Sequence, residues 1–419
     1  MSGRRPLRAL GSFGTPLVYA VSAVALGLLV PRIEARFLPG LAYTGTAPAL
    51  ALLSAIASGT MPLTGLVFSL AFVMVQFSSV AYSPRLVAWL VGSSVMHHSL
   101  GAFTGTFLYS LAAIAWVDRG GSGTVPLLTV AIAIAWLLVS VGFFVMLVER
   151  LQMLQIARVL AYAGDQGRAV IAAYQPLAVD APDDGALPSV SQVLAHHGGP
   201  AVVQAVDLRR LAGLAEREGA VVAMAAAVGD TPVDGMALLR VHGAKRPLSE
   251  SALRRCVQLG EQRTFEQDPK YALRLIVDIA IKALSPAIND PTTAVQALDQ
   301  IEDLLLRLGR VNLAAGRIRD AAGHVRVVLV MPSWDDIIAL ALDEIRFYGA
   351  SSIQVTRRMR ALLRNLLEHL PPERRPPLAH YLDRLNKGAT RAFEDGEDRS
   401  DALGEDRQGL GLSRERPAT

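Results

Sequence analysis

Cysteine is all but missing: Cys256 is the only one in the chain. A single thiol can make no internal disulfide, no cysteine metal site and no redox pair, and it suits a reducing compartment. Charge is missing from one end, where residues 1–148 carry nine charged side chains while the remainder is charge-rich. Lysine is scarce and does not occur before Lys245, so the net charge of +4 rests almost wholly on arginine. Aromatics make up only 6%, and no basic cluster is interleaved with them; nucleic acid is therefore not an expected partner. Catalytic signatures are missing too, with no H-E-x-x-H, P-loop, G-x-S-x-G or kinase pattern. An enzyme would have no nucleophile or base to name. No enzymatic activity, cofactor or metal is expected.

What is present in excess is hydrophobic residue, 52% of the chain, more than an ordinary soluble protein carries. Arg4, Arg5 and Arg8 precede an apolar run from Thr15. No small-x-small cleavage site follows, so this run reads as a retained span rather than a signal peptide. A second block, Thr46 to Val80, has no charge and exceeds the ~20 residues a span needs. Gly59-Thr60-Met61-Pro62 interrupts it. Either one long helix kinks at Pro62, the preferred reading, or a re-entrant piece precedes a full helix from Leu63.

Four spans are expected, at about residues 15–36, 46–82, 100–117 and 125–148, behind an N-terminal segment 1–14. Four crossings put both termini on one side. Arg4, Arg5, Arg8, Arg85, Arg150, Arg158 and Arg168 then oppose Arg32, Arg36 and Arg119, and the richer side is cytoplasmic. The expected setting is a bacterial cytoplasmic membrane, with the lipid bilayer as partner.

Residues 149–200 read as a connecting helix to Tyr174 and then a mobile linker rich in Pro, Asp and Gly. Residues 201–245 read as a small β subdomain with strands at 201–206, 220–228 and 237–241, and a short helix capped by Asp207. Its VGDTPVDGMALLRV resembles the strand-turn-strand of barrel-sandwich (biotinyl/lipoyl-like) domains, but no lysine stands where that resemblance needs the attachment residue. Residues 246–390 read as a helical α/β domain: helix 248–259, strand 324–331, and helices 333–348, 351–369 and 372–387. Residues 391–419 have little apolar content and are expected to be disordered.

The most patterned stretch runs from Glu261 to Ile301. Asp268-Pro269 and Asp290-Pro291 each open a helix, because Asp caps orphan N–H groups and Pro at the first helical position has none to leave unpaired. Ser285-Pro286 ends the first helix, since the residue before proline is pushed out of helical geometry. That first helix is apolar nearly all round. Arg274, Asp278 and Lys282 form its one charged stripe, with Asp278 to Lys282 in the favourable order for an ion pair. A helix of this kind belongs in a core or an oligomer interface.

The pattern RTFEQDPKYALRLIVDIAIKALSPAINDPTTAVQALD resembles the signature of a bacterial family of predicted membrane proteins filed as a domain of unknown function. FSSVAYSPRL (Phe77–Leu86) and LGAFTGTFLYSL (Leu100–Leu111) are similar to that family's other motifs, and the likeness covers about residues 10–370. The resemblance implies an architecture, several spans followed by a cytoplasmic domain, and no activity.

Four groups of residues are candidates. Asn289, Asp290, Thr292 and Thr293 crowd one elbow after Ser285, as a cap and turn or as an ion or ligand site; Arg263, Glu266 and Asp268 could extend its surface. His97-His98 is a poor metal pair, because adjacent helical residues point about 100° apart. Gly101, Ala102, Gly105 and Thr106 make a small-residue face for close packing against another span or another subunit. Ser69, Gln76 and Ser83 recur every seven residues on one face, as interhelical hydrogen bonds or as a wetted path. The expected fold is an α-helical polytopic membrane domain of four spans joined to a mixed α/β cytoplasmic domain. The expected function is a homo-oligomeric channel or transporter-like protein with a regulatory cytoplasmic domain, its ligand unknown. The alternative is a membrane-anchored scaffold or sensor without transport.

Overall fold

The structure, a computed structural model, describes residues 6–37, 43–81, 94–116, 124–152, 155–174, 186–311 and 316–411. The chain divides into two compact units, Met1–Gln155 and Ile156–Thr419.

Among the described residues the first unit holds four long helices: α1 (Pro6–Phe37), α2 (Thr46–Ala81), α3 (Ser94–Ile114) and α4 (Leu127–Gln152). Two three-residue strands, β1 (Tyr43–Gly45) and β2 (Thr124–Pro126), pair antiparallel directly ahead of α2 and α4. Those two helices therefore start at one end of the bundle. Tyr19 lies against Gly101, Ala23 against Gly105 and Gly27 against Ala112, so α1 and α3 run parallel. Ser99 meets Phe143, Thr106 meets Trp136 and Tyr109 meets Thr129, so α4 runs against α3. Helix α3 packs on all three of the others.

Among the described residues, three helices are long and apolar enough to cross a membrane: Gly14–Glu34, Thr46–Leu70 and Leu127–Glu149. Helix α3, where the third of four spans is expected, does not reach that standard. Its faces meet protein rather than lipid, and small and polar residues such as Gly101, Thr106 and Ser110 serve that contact better than large apolar ones. Helix α2 is a single helix through Pro62, which removes the re-entrant alternative. The Thr60 and Thr64 hydroxyls around the proline each donate to the carbonyl four residues back at 2.8 Å.

The second unit begins with α5 (Ile156–Tyr174). It continues with β3 (Val190–Ala195), β4 (Val202–Val206), α6 (Leu208–Arg217), β5 (Val221–Met224), β6 (Ala237–His242), α7 (Glu250–Arg254) and β7 (Val257–Gly260). Then come α8 (Pro269–Ala283), α9 (Pro291–Gly309), β8 (Arg317–Arg319), β9 (Val325–Val328), α10 (Trp334–Tyr348), α11 (Ile353–His369), α12 (Arg375–Ala392) and α13 (Gly396–Ala402). Five strands form a mixed sheet in the order β3-β6-β5-β9-β8, in which only β5 and β9 are parallel neighbours; β4 and β7 form a separate antiparallel ribbon.

Three expectations change here. The β region is not a self-contained 201–245 unit, because its sheet recruits β3 from the expected linker and β8–β9 from far downstream. Strand β3 escapes notice because it is an edge strand in which only Leu194 is buried. The barrel-sandwich likeness fails for the same reason: β5 and β6 are side-by-side neighbours in one mixed sheet. The expected helix 248–259 is the short α7 followed by β7, since Val257 and Gln258 pair with β4.

The helical part is built around α8, which packs against α5, α9 and α10. Its Leu273, Leu275, Ile276, Val277 and Ile279 are all buried, so the all-round apolar helix is core of this chain. The tail is ordered further than composition suggests. Asp395 caps α13 through the Glu397 and Asp398 N–H groups, Ala402 is buried, and Arg357 of α11 clasps Asp401. A few anchors suffice where mean composition is polar; residues 412–419 lie outside the described part.

Candidate functional site

Helix α8 carries both Asp-Pro caps at its borders, but at opposite ends. Asp268 caps its start and Asp290 opens the next helix after its stop, so about 22 Å of helix separates them. They are two local structures, and Arg263, Glu266 and Asp268 belong to the first alone.

At the second, the elbow is built by backbone. The Ile288 and Asn289 N–H groups both donate to the Ser285 carbonyl, and the Asp290 N–H donates to Ala283 O at 2.8 Å. Asn289 takes φ 48°, the left-handed geometry that Asn tolerates better than most residues. The Asp290 carboxylate accepts from the Thr293 N–H at 3.1 Å and from its hydroxyl at 2.6 Å. Ser285 donates to Lys282 O, while Asn289 and Thr292 point to the exposed side. Every placed polar group of Asp290 is explained by capping.

The first site is different. Asp268 is 1% exposed. Its carboxylate accepts from the Arg263 guanidinium at 2.6 and 2.8 Å and from the Tyr271 N–H at 3.2 Å. Burial pushes this carboxyl above its ordinary value, and Arg263, Lys270 and the Tyr271 N–H pull it back. Gly229, at φ +90°, lies so close that a Cβ there would come within 2.3 Å of Asp268 Oδ2. The neighbouring Gln267 amide accepts from Val206 N–H at 2.9 Å and donates to Val206 O at 3.1 Å, as a strand residue would. In mid-helix, Arg274 bonds both Asp278 and Glu344 of α10.

Gln267 and Asp268 line one side of a cavity of about 230 Å³. Met224 ends β5, and Leu329 to Pro332 follow β9, so the cavity lies at the carboxyl ends of the parallel strand pair. Leu208, Val228 and Ala173 complete an apolar lining, and Glu266 and Lys270 bring one charge of each sign. Sequence reasoning places Glu266 and Asp268 near a site but misses Lys270 and the cavity, whose walls come from distant segments.

In the first unit the small-residue face is spent inside the chain. A Cβ on Gly101 would meet the Tyr19 ring at 2.9 Å, and one on Gly105 the Trp136 ring at 3.2 Å. Ala102 is fully buried, and Thr106 shares a hydrogen bond with Ser140 at 2.7 Å. His98 bonds the Tyr19 hydroxyl and stacks on Phe143. Of the polar stripe, Ser69 and Gln76 are exposed on α2, and Ser83 lies outside the described residues. Gln76 lies seven residues beyond Ser69 on the same continuous helix, about 10 Å along it by the usual rise per residue.

One residue that sequence reasoning passed over is Glu34. It is 1% exposed and accepts from the Leu128 and Thr129 N–H groups at 2.8 and 3.0 Å, capping α4 from another helix. The available signal was that α4 begins at Leu127 without an Asp, Asn or Ser of its own at the cap.

A family model described as Predicted membrane protein (DUF2254) matches residues 12–365. Among similar proteins are the uncharacterized protein Mb1321c of Mycobacterium bovis and the uncharacterized protein Rv1290c of Mycobacterium tuberculosis. Each is 28% identical over 415 residues, covering 93% of this chain and 79% of the relative. No solved structure matches.

Proposed function

We propose that this chain, which belongs to the DUF2254 family of predicted membrane proteins, is a homo-oligomeric channel or transporter-like protein regulated through its soluble unit. It crosses the bacterial cytoplasmic membrane four times with both termini in the cytoplasm, and it performs no covalent chemistry. The observation that carries this reading is the uncovered face of α2, where Ser69 stands among exposed Phe68, Phe72 and Val73, with Gln76 one to two turns on. A hydroxyl or an amide in an apolar helix needs a partner or water. Inside the chain, Thr106, Ser140, Ser99 and Tyr109 satisfy one another or backbone, while the buried Thr46 and Ser110 hydroxyls have no partner among the described residues. The larger exposed polar face is that of α2, so we put the path between copies. The small-residue face, used internally, lends no support to assembly. The β1–β2 pairing supports the four crossings, because α2 and α4 start at one end and α3 must return the chain between them.

The experiment is mass in detergent followed by ion flux in liposomes. If the α2 face lines a path, Ser69→Leu and Gln76→Leu keep the oligomer and cut flux severalfold. If the face only packs, the same changes weaken assembly and leave flux per oligomer unchanged. Well-assembled protein with no flux for any ion moves the reading to a sensor without transport, which the cavity of the soluble unit also favours.

A further inference from the structure

We propose that the cavity at the start of α8 binds a small apolar zwitterion of the α-amino-acid class. Its hydrocarbon side chain sits among Met224, Val228, Leu329 and Met331, its carboxylate on Lys270 and its ammonium on Glu266.

Location comes first. In open α/β sheets, ligands enter the crevice beyond the carboxyl ends of the strands, and this cavity lies where the parallel pair of the five-stranded sheet, β5 and β9, ends. Size comes second. At about 230 Å³ the space equals roughly seven or eight waters at ~30 Å³ each. That is below the range of about 300–1,000 Å³ for drug-sized ligands and suits a molecule of some ten heavy atoms. Water is a poor occupant, because it needs two to four polar partners and the lining is mostly apolar.

The polar lining then selects the head group. Gln267 is bound to the Val206 backbone, and Asp268 is held by Arg263 and the Tyr271 N–H. Neither needs a ligand. The closest carboxylate to Lys270 is Asp230, at 3.9 Å and already engaged by the Ala227 N–H. Lys270 also acts at longer range on Asp268 and Asp336, each of which has shorter partners of its own. Glu266 is exposed and has no ion pair among the described residues. The other nearby charge, Asp336, is tied up in the cap of α10 with Ser333. One cation and one anion therefore stand available beside an apolar chamber. A simple anion would be repelled by Glu266, a simple cation by Lys270, and an uncharged hydrocarbon would leave both unused. A zwitterion with an apolar body uses all three features.

Binding here does not require that the membrane unit conduct, so this proposal and the transport reading fail separately. The test is calorimetry on the purified full chain in detergent with leucine, 4-methylpentanoate (no ammonium) and isopentylamine (no carboxylate). Leucine should bind at least tenfold more tightly than either truncated probe. Glu266→Gln should reduce leucine to the level of 4-methylpentanoate, and Lys270→Gln to that of isopentylamine. Both side chains are at the surface of the cavity, and thermal unfolding of each variant checks the fold. Val330→Trp, at a half-exposed lining position, should block all three probes. The proposal is overturned if leucine, methionine and phenylalanine give no binding, if the three leucine-shaped probes bind equally, or if leucine binds both charge variants as it binds the wild type.

Discussion

Asp268 draws on three different neighbours, and each makes a separate demand. The Arg263 guanidinium compensates a carboxylate that burial would otherwise leave stranded, while Gly229 leaves room for it. Removing one partner of a buried pair strands the other, at a cost of about 3 kcal/mol where the arginine is one-quarter exposed. Arg263→Ala should therefore destabilise the second unit by that order. Adding Asp268→Asn should recover most of it, because Asn caps a helix nearly as well and carries no charge. Gly229→Ala should cost on the order of 2 kcal/mol, from a strained φ and a clash with Oδ2. Urea titration followed by far-UV circular dichroism reads all three. If Arg263→Ala is silent, the guanidinium is ornamental and Asp268 is held by its backbone contact alone.

At the scale of elements, the legible parts were those that local chemistry fixes. Asp207, Asp268, Asp290 and Ser333 each cap the helix that their position announces, and the all-apolar α8 is core. Short strands with distant partners were not legible: β3 joins β6 across some forty residues of chain, and β9 joins β5 across about a hundred. Nothing within a four-residue strand names such a partner, so neither the sheet order nor the cavity at its end could be read. Spacing suggests an Asp278 to Lys282 pair; the structure shows Asp278 bonded to Arg274 one turn back, and Arg274 also to Glu344 on another helix, which spacing cannot show. The elbow gives a clean test. Asp290→Ala should cost about 1 kcal/mol and Asp290→Ser should restore it. Asn289→Gly should be neutral or better at φ 48°, whereas Asn289→Val should cost 1–2 kcal/mol, roughly the penalty for a left-handed residue. Should Asp290→Ser restore stability but not function, the carboxylate has a second role beyond capping.

For the whole molecule the decisive matter is how many times the chain crosses the membrane. Hydropathy alone gives three helices among the described residues, which would put the second unit opposite the N-terminus. The pairing of β1 with β2 argues otherwise, because it holds the starts of α2 and α4 together. A chain that descends through α2 must climb again before α4, and α3 is the element that can do so. At 21 residues it is about 31 Å long, a full hydrocarbon thickness, and it runs beside the apolar stretch of α1. Its polarity is the consequence of being surrounded. Cysteine labelling decides the count, and the native thiol does not interfere: Cys256 is buried, and burial pushes its thiol up from the ordinary value. In spheroplasts an impermeant maleimide should label Ala47→Cys, at the exposed start of α2, without permeabilisation. It should reach Arg246→Cys, exposed in the second unit, only after permeabilisation. Labelling of both from outside would mean that α3 does not cross, and the reverse pattern would invert the arginine-based orientation.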